Sequence, residues 1–383
     1  MLIRNTYAVR GDRIQPCDIR VTGKNISEIA PSLTPECGEP VYDASGCYAL
    51  AGFIDSHTHG AMGSTYYNLD CDVEKILAFE ASEGVTTVAA TLESAPIAHE
   101  IALVRHLLPY IKNGTRGAKL GGIHFEGPFL NPAKKGAMNP DGMVVPNVPD
   151  FDRLYEASEG TMKIITVAPE MPGALDVIRR AAALGVSVSA GHTMASIEEM
   201  KRAVDAGVSR MTHTFNAARP FDHREPGVLG AALTDDRVTC EVICDFAHLH
   251  PAAVELIYRA KGSARFTAIS DSEFAAGLAE GRFVAEDGRV RFIDGGVARL
   301  EDGTICGSAS SLCKAFVNLC SLGIPLWEVS EMLSATPARA LGIFDCTGSL
   351  DEGKRADICL ADRTLEIRKT FVDGALVFDR AAF

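Results

Sequence analysis

Residues 52–60 read GFIDSHTHG, a run of apolar and small residues that closes on His57-Thr58-His59. Alternate side chains of an extended strand face the same way, so His57 and His59 project to one side. Seven further short runs of apolar and small residues follow, at 85–91, 120–125, 163–168, 186–190, 209–212, 239–245 and 266–270. Such composition suits parallel strands covered on both faces. Most are followed by a helical stretch. Ile197, Met200 and Val204 repeat at helical spacing, Ser196 with Glu199 makes a capping box, and Gly207 suits the helix stop. With 52–56, eight strand–helix units predict an α/β protein of the (β/α)8 TIM-barrel type. An open doubly wound sheet would want a glycine-rich phosphate turn after its first strand. The chain has His-Thr-His-Gly there, and no GxGxxG or Walker sequence elsewhere.

The two ends read differently. Short strands at 2–7, 18–22 and 26–29, and again at 357–360, 367–371 and 375–378, could not bury a core separately. Paired, they form a small composite β-domain from residues 1–51 and 345–383, beside a catalytic barrel over 52–344. A β-rich patch at 283–300, with Asp287-Gly288 as a hairpin turn, reads as an insertion after the eighth strand.

Composition narrows the function. A net charge of −13 argues against a nucleic-acid or acidic-membrane partner, although a small anionic substrate needs only a few local cations. No apolar run approaches the roughly 18–20 residues needed to span a bilayer. The eleven cysteines contain no CxxC pair, and reduced, cytoplasmic thiols are the natural reading. Cys306, Cys313 and Cys320 stand seven apart, which reads as one buried helical face.

In a barrel of this kind chemistry sits at the C-terminal ends of the strands. Strand 1 ends in His57 and His59, strand 3 in His124-Phe125-Glu126, strand 5 in His192, strand 6 in His213 and strand 8 in Asp271. Strand 7 ends near Asp245 and His248. A lone histidine is more often structural than a ligand, but imidazoles and carboxylates at five strand ends can saturate one or two divalent ions. Neutral imidazole and carboxylate oxygen suit zinc and its first-row neighbours. Asp271 completes the set as ligand, proton acceptor, or both. The reaction class is metal-assisted hydrolysis of an amide-like bond.

At this point the chain resembles the amidohydrolase superfamily and, within it, the N-acetylglucosamine-6-phosphate deacetylases. The resemblance is carried by GFIDSHTHG (52–60), HFEGPFLNPAKKGA (124–137), GHT (191–193), THTFNA (212–217), HREPG (223–227), SDSEFAAG (270–277), DGTICGS (302–308) and the closing segment at 335–362. It implies Glu126, His192 and His213 as central metal ligands. It implies His57 and His59, with Glu126 bridging, as the pair that holds a second metal in members retaining it. Asp271 is the implied acid/base. Asn216, Ala217, His248 and Arg224 are implied to grip the sugar and its phosphate. The arginine would come from a neighbouring subunit, hence a homodimer; a guanidinium fork suits a phosphate, while a surface salt bridge is the bland alternative for Arg224. Ile305, Gly307 and Ser308 resemble a loop near the site, and could equally be a helix entry capped by Ser308.

The chain departs from the resemblance at Met138, where the family usually has histidine after KKGA. A thioether cannot donate a hydrogen bond. A second metal could take over carbonyl polarisation, another histidine (His99, His223 or His250) could fill the space, or the substrate could differ. Ser272-Glu273-Phe274 also departs, with Glu273 read as a solvated acid and Phe274 as a residue that could reshape the pocket. The leading reading is deacetylation of an N-acetylhexosamine 6-phosphate. A related amidohydrolase acting on N-acetylgalactosamine 6-phosphate, an N-acyl amino acid or a cyclic amide is the alternative, although Lys163 stands at the start of strand 4 rather than its C-terminal end, which disfavours the cyclic amidase. A sugar-phosphate sensor would predict lost ligands, and only the histidine replaced by Met138 is missing.

Overall fold

The computed structural model describes residues 1–284 and 288–382. Eight parallel strands form the barrel: β1 (Phe53–Thr58), β2 (Val85–Glu93), β3 (Lys119–Glu126), β4 (Met162–Val167), β5 (Ser187–Ala190), β6 (Val208–Met211), β7 (Thr239–Ile243) and β8 (Phe266–Ile269). Each pairs with its neighbour in chain order from β1 to β8. The seam between β8 and β1 is drawn together at its C-terminal end, where the Asp271 N–H donates to the His57 carbonyl at 3.0 Å.

The helices α1 (Val73–Ser82), α2 (Ile97–Asn113), α3 (Val148–Ala157), α4 (Ala174–Ala183), α5 (Ile197–Ala206), α6 (Gly227–Thr234), α7 (Pro251–Lys261) and α8 (Leu312–Ser321) follow the strands one for one. The expected capping box at Ser196 and Glu199 is present, and Gly207 ends α5. Val88, Leu120, Ile165, Val188, Val242 and Phe266 bury one strand face against Leu103, Val177, Met200 and Ile257 of the helices. This is the apolar layer that holds the barrel together.

Part of the barrel interior is polar, beside a separate apolar cluster of Ile54, Ala89 and Ile164. Thr166 Oγ1 meets Thr212 Oγ1 at 2.9 Å, Ser189 Oγ meets Thr212 Oγ1 at 2.6 Å, and His124 Nε2 meets Thr166 Oγ1 at 2.8 Å. A buried hydroxyl is costly unless hydrogen-bonded. This chain of hydroxyls forms a satisfied floor beneath the C-terminal mouth.

Both chain ends build one sheet. Residues Tyr48–Ala51 pair antiparallel with Ile358–Ala361, and the sheet continues outward through Leu2–Arg10, Arg13–Thr22 and Asn25–Ala30 on one side and Ile367–Val372 and Ala375–Asp379 on the other. Its core is Ile3, Ile19, Ile26, Ala49, Ile358 and Phe371. Lys119, at the start of β3, ties it to the barrel through Asp357 at 2.6 Å and Asp373 at 3.0 Å.

The insertion after β8 is a four-stranded antiparallel sheet of Gly281–Val284, Val290–Asp294, Val297–Leu300 and Ile305–Ser308. The expected turn at Asp287-Gly288 falls partly outside the described residues. Two local expectations are corrected here. Cys306 lies on the last strand of this sheet, not on a helix; only Cys313 and Cys320 share α8. Spacing by seven spans two helical turns, but the chain from Ile305 to Ser308 is extended. Ser308 is likewise a strand residue, and the residue preceding α8 is Ser311. None of the eleven cysteines forms a disulfide.

Candidate active site

Five strand ends meet at the C-terminal mouth. Gly191 is one reason they can: a Cβ there would lie 2.7 Å from both Thr166 Cγ2 and Thr212 Cβ, so only glycine lets the end of β5 settle between β4 and β6. The next residue, His192, then takes φ +47°. His213 sits at φ +26° and Asp271 at φ +48°. Left-handed backbone is costly outside glycine. Here it turns three side chains off the strand direction and over the mouth.

The resulting cluster is tight. Glu126 Oε1 lies 3.1 Å from His192 Nε2, 2.9 Å from His213 Nε2 and 3.5 Å from His57 Nε2. Glu126 Oε2 lies 3.2 Å from His59 Nε2. Asp271 Oδ1 lies 3.3 Å from both His57 Nε2 and His59 Nε2. The donors fall into two groups, Glu126 with His192 and His213, and His57 with His59 and Asp271; within each group the donor atoms all lie within 4.8 Å of one another. Glu126 faces both.

The tautomers can be assigned from the partners. His57 Nδ1 donates to Glu241 Oε2 at 3.0 Å, and His192 Nδ1 donates to the Lys134 carbonyl at 2.7 Å. Both Nε2 atoms therefore face the cluster, and would offer lone pairs to a cation that displaces their protons. His57 Nε2 is buried without a hydrogen-bond partner, and the His192 and His213 Nε2 atoms stand 3.1 Å apart. Ligands about 2.0–2.1 Å from a tetrahedral ion are themselves about 3.3 Å apart, which matches these separations. The residues fit one or two divalent cations.

Electrostatics point the same way. Burial disfavours a charged His57, but the Glu126 and Asp271 carboxylates outweigh it and push its pKa up to about 10. His59 is raised for the same reasons, against its burial. Glu126 and Asp271 are held well below the usual carboxylate range, because His57 and its neighbours overcome the desolvation that would raise them. The carboxylates thus favour positive charge at the imidazole nitrogens, whether a proton or a metal cation supplies it.

A central cavity of about 190 Å³ opens over this cluster. Asn216, Ala217, His248, Ile305, Gly307 and Met138 line it. His248 is aimed by Asp245, whose carboxylate accepts its Nδ1 at 2.7 Å and is itself braced by Ser308 Oγ at 3.1 Å. Arg224 is not brought to the cavity by its own chain; it is exposed on the 223–227 turn. The idea that another histidine replaces the one missing at Met138 is not supported. His99 lines a neighbouring cavity, His223 is exposed, and His250 caps α7 by accepting the Ala252 N–H at 3.1 Å. Lys163 stands near the start of β4, outside both donor groups.

Glu273 is corrected most sharply. It is not a solvated acid but a buried one, 2% exposed. Its carboxylate accepts the Tyr67 hydroxyl and, at 2.8 Å, the Phe274 N–H. Sequence reasoning also missed Glu241 and Arg210. Glu241 on β7 accepts His57 Nδ1 and, at 2.8 Å, Arg210 Nη2 from β6, with both side chains buried. Burial would raise the Glu241 carboxyl, but Arg210 and His57 hold it well below its usual range. A charge inside each of the apolar runs at 208–211 and 239–243 is the signal that could have found them. Glu93, at the end of β2, lines the cavity too; burial and the Glu273 carboxylate push it up to about 7.

Fold and site together define a barrel hydrolase with a donor set for divalent metal. The chain belongs to the amidohydrolase family, whose model matches residues 48–377. It is 34% identical over 326 residues to N-acetylgalactosamine-6-phosphate deacetylase of Escherichia coli O157:H7, covering 85% of this chain and 86% of that protein. It is also 34% identical over 334 residues to N-acetylglucosamine-6-phosphate deacetylase of Vibrio furnissii, covering 87% and 83%. Among solved structures, a mutant N-acetyl-D-glucosamine-6-phosphate deacetylase of Mycobacterium smegmatis, in complex with N-acetyl-D-glucosamine-6-phosphate, superposes with a TM-score of 0.91 at 30% identity, covering 98% of this chain and 99% of that one.

Proposed function

We propose that the chain removes the acetyl group from an N-acetylhexosamine 6-phosphate, N-acetylglucosamine 6-phosphate first among them, yielding the amino sugar phosphate and acetate. The observation that carries this is the paired donor cluster beneath a cavity lined by Asn216, Ala217 and His248, in a chain whose relatives at 34% identity bear deacetylase names. Glu126, His192 and His213 would hold one cation, zinc by the chemistry of the donors, and His57 and His59 would hold a second. Bound metal lowers the pKa of water and polarises a carbonyl.

The remaining steps belong to the chain. Asp271 stands 3.3 Å from both His57 Nε2 and His59 Nε2. Its carboxylate takes a proton from the attacking water as the O–C bond forms. It then returns that proton to the amide nitrogen as the C–N bond breaks, so the amine leaves neutral. His248, fixed by Asp245, presents Nε2 to the sugar. Arg224, exposed in its own chain, reaches the phosphate in a second copy, which makes the working unit a homodimer. Among the described residues no helix is long and apolar enough to cross a membrane. Eleven cysteines without a disulfide support a cytoplasmic site of action.

The test is a panel of N-acetylglucosamine and N-acetylgalactosamine, each with and without the 6-phosphate, together with an N-acetyl amino acid and a cyclic amide, given to the zinc-reconstituted protein while hydrolysis is read. Turnover of a phosphorylated sugar well above its unphosphorylated form is expected. Preference for an N-acyl amino acid or a cyclic amide would overturn the assignment.

A further inference from the structure

A second cavity, about 420 Å³, lies beside the catalytic one. That volume is in the range of small-ligand sites, yet no step of the proposed reaction uses it. Leu278, Phe283 and Phe274 make its lining largely apolar, and Tyr67 stands on its rim. The Arg291 guanidinium covers the Phe274 ring at 5.2 Å.

The partition between the two cavities is one side-chain pair thick. Tyr67 lines the outer cavity and Glu273 the catalytic one, and the Tyr67 hydroxyl donates to the Glu273 carboxylate. The Phe274 N–H holds the other carboxylate oxygen at 2.8 Å. The aliphatic stem of Glu273 packs against Gly307, where an added Cβ would lie 2.6 Å from Glu273 Cγ. Gly307 also lines the catalytic cavity. Tyr67 stacks edge-on to His59, ring centroids 6.1 Å apart, and Glu273 is two residues from Asp271. The wall therefore stands immediately beside the reacting centre.

A planar amide has two substituents on opposite sides of its C–N bond. The amine side leads to the sugar, which faces His248, Asn216 and Ala217 beyond β6 and β7. With the sugar at those residues, as the proposed reaction has it, the acyl side would be left to the part of the cavity that Glu273, from the loop after β8, lines together with His59 and Glu93. We infer that the Tyr67–Glu273 pair is the wall that limits the acyl group to acetyl, and that the outer cavity is the space it closes off. The inference rests on the deacetylase reading and deepens it. A pocket that discriminates by size alone separates substrates by roughly 10–200-fold per methylene. The native protein should thus prefer acetyl to butyryl by 100-fold or more in kcat/KM.

The experiment compares native protein with Tyr67→Ala on N-acetyl-, N-propionyl- and N-butyrylglucosamine 6-phosphate, reading free amine. Tyr67→Ala should lower the acetyl-to-butyryl ratio at least tenfold. Adding Leu278→Trp to Tyr67→Ala refills the outer cavity and should restore the preference. Tyr67→Leu, a milder truncation, carries the same prediction if the alanine variant does not fold. An acetyl-to-butyryl ratio that falls less than tenfold, or a native protein that hydrolyses butyryl as fast as acetyl, overturns the wall while leaving deacetylation standing. Silence of the native protein on every acyl chain overturns the deacetylase reading, and the wall with it.

Discussion

Replacing Glu241 by glutamine tests how the metal cluster is held from below. Glu241 is fully buried and accepts His57 Nδ1 at 3.0 Å and Arg210 Nη2 at 2.8 Å. A glutamine has one acceptor oxygen for these two donors, and it removes the charge that pairs with Arg210, itself 2% exposed. Breaking a buried ion pair costs about 3–5 kcal/mol. The retained oxygen places this variant near the lower end, about 3 kcal/mol. With an unfolding entropy of about 2.1 cal/mol/K per residue, a chain of 383 residues loses about 4 °C in Tm. Losing the partner that orients a metal-bound histidine costs about 10–100-fold in metal affinity. Calorimetry on the metal-free protein reads the first number, and zinc competition against a chromophoric chelator reads the second. The two effects separate in a double-mutant cycle with His57→Ala. The stability loss should persist in that background, whereas the affinity loss should vanish because Glu241 acts on the metal through His57. An undiminished affinity loss without His57, or a Tm within 1 °C of native, would refute this reasoning.

Asp271→Asn keeps a side chain of the same shape without a base, so turnover should fall by about 10²–10⁴-fold while the protein still holds at least one metal by elemental analysis; near-native activity would remove Asp271 from the mechanism. Arg224→Ala should raise KM for the 6-phosphate substrate about tenfold or more, with little change for the unphosphorylated sugar, whereas equal effects on both would return Arg224 to the surface salt-bridge reading. Glu100 gives a pH dependence remote from the metal. Its Oε2 is buried without a partner, and burial pushes the carboxyl up to about 8, offset in part by the Ala95 N–H. A folded value above the unfolded one means stability that is full below about pH 4.5 and is lost as pH rises toward 8. Glu100→Gln should therefore flatten the stability–pH curve over that window and exceed the native protein at pH 8 in urea unfolding; parallel curves would count against it.

Much of this architecture is legible in the sequence because of how parallel barrels are built. Strands covered on both faces must be short runs of small and apolar residues, and each such run ends where chemistry can stand. His57 and His59 advertise their shared direction through a spacing of two, and Glu126, His192, His213 and Asp271 each follow a readable strand. What stayed hidden depends on which distant segments meet. Glu273 is buried because Tyr67, 206 residues earlier, covers its carboxylate, and nothing near Glu273 in the chain announces that partner. Arg210 and Glu241 occupy strand positions where a charge is costly unless paired, but the pairing exists only once β6 lies beside β7. Cys306 was misplaced for a local reason: a spacing of seven cannot reveal that the chain is extended from Ile305 to Ser308 and turns helical only after Ser311.

The central claim is that imidazoles and carboxylates gathered from five strand ends hold a cation needed for amide hydrolysis. The most direct measurement titrates zinc into chelator-stripped protein while following amine release from N-acetylglucosamine 6-phosphate. The account predicts no turnover before zinc is added, a rise that saturates at a whole number of ions per chain, and no recovery at all in His192→Ala. Full activity in the stripped protein, or in that variant, would contradict it.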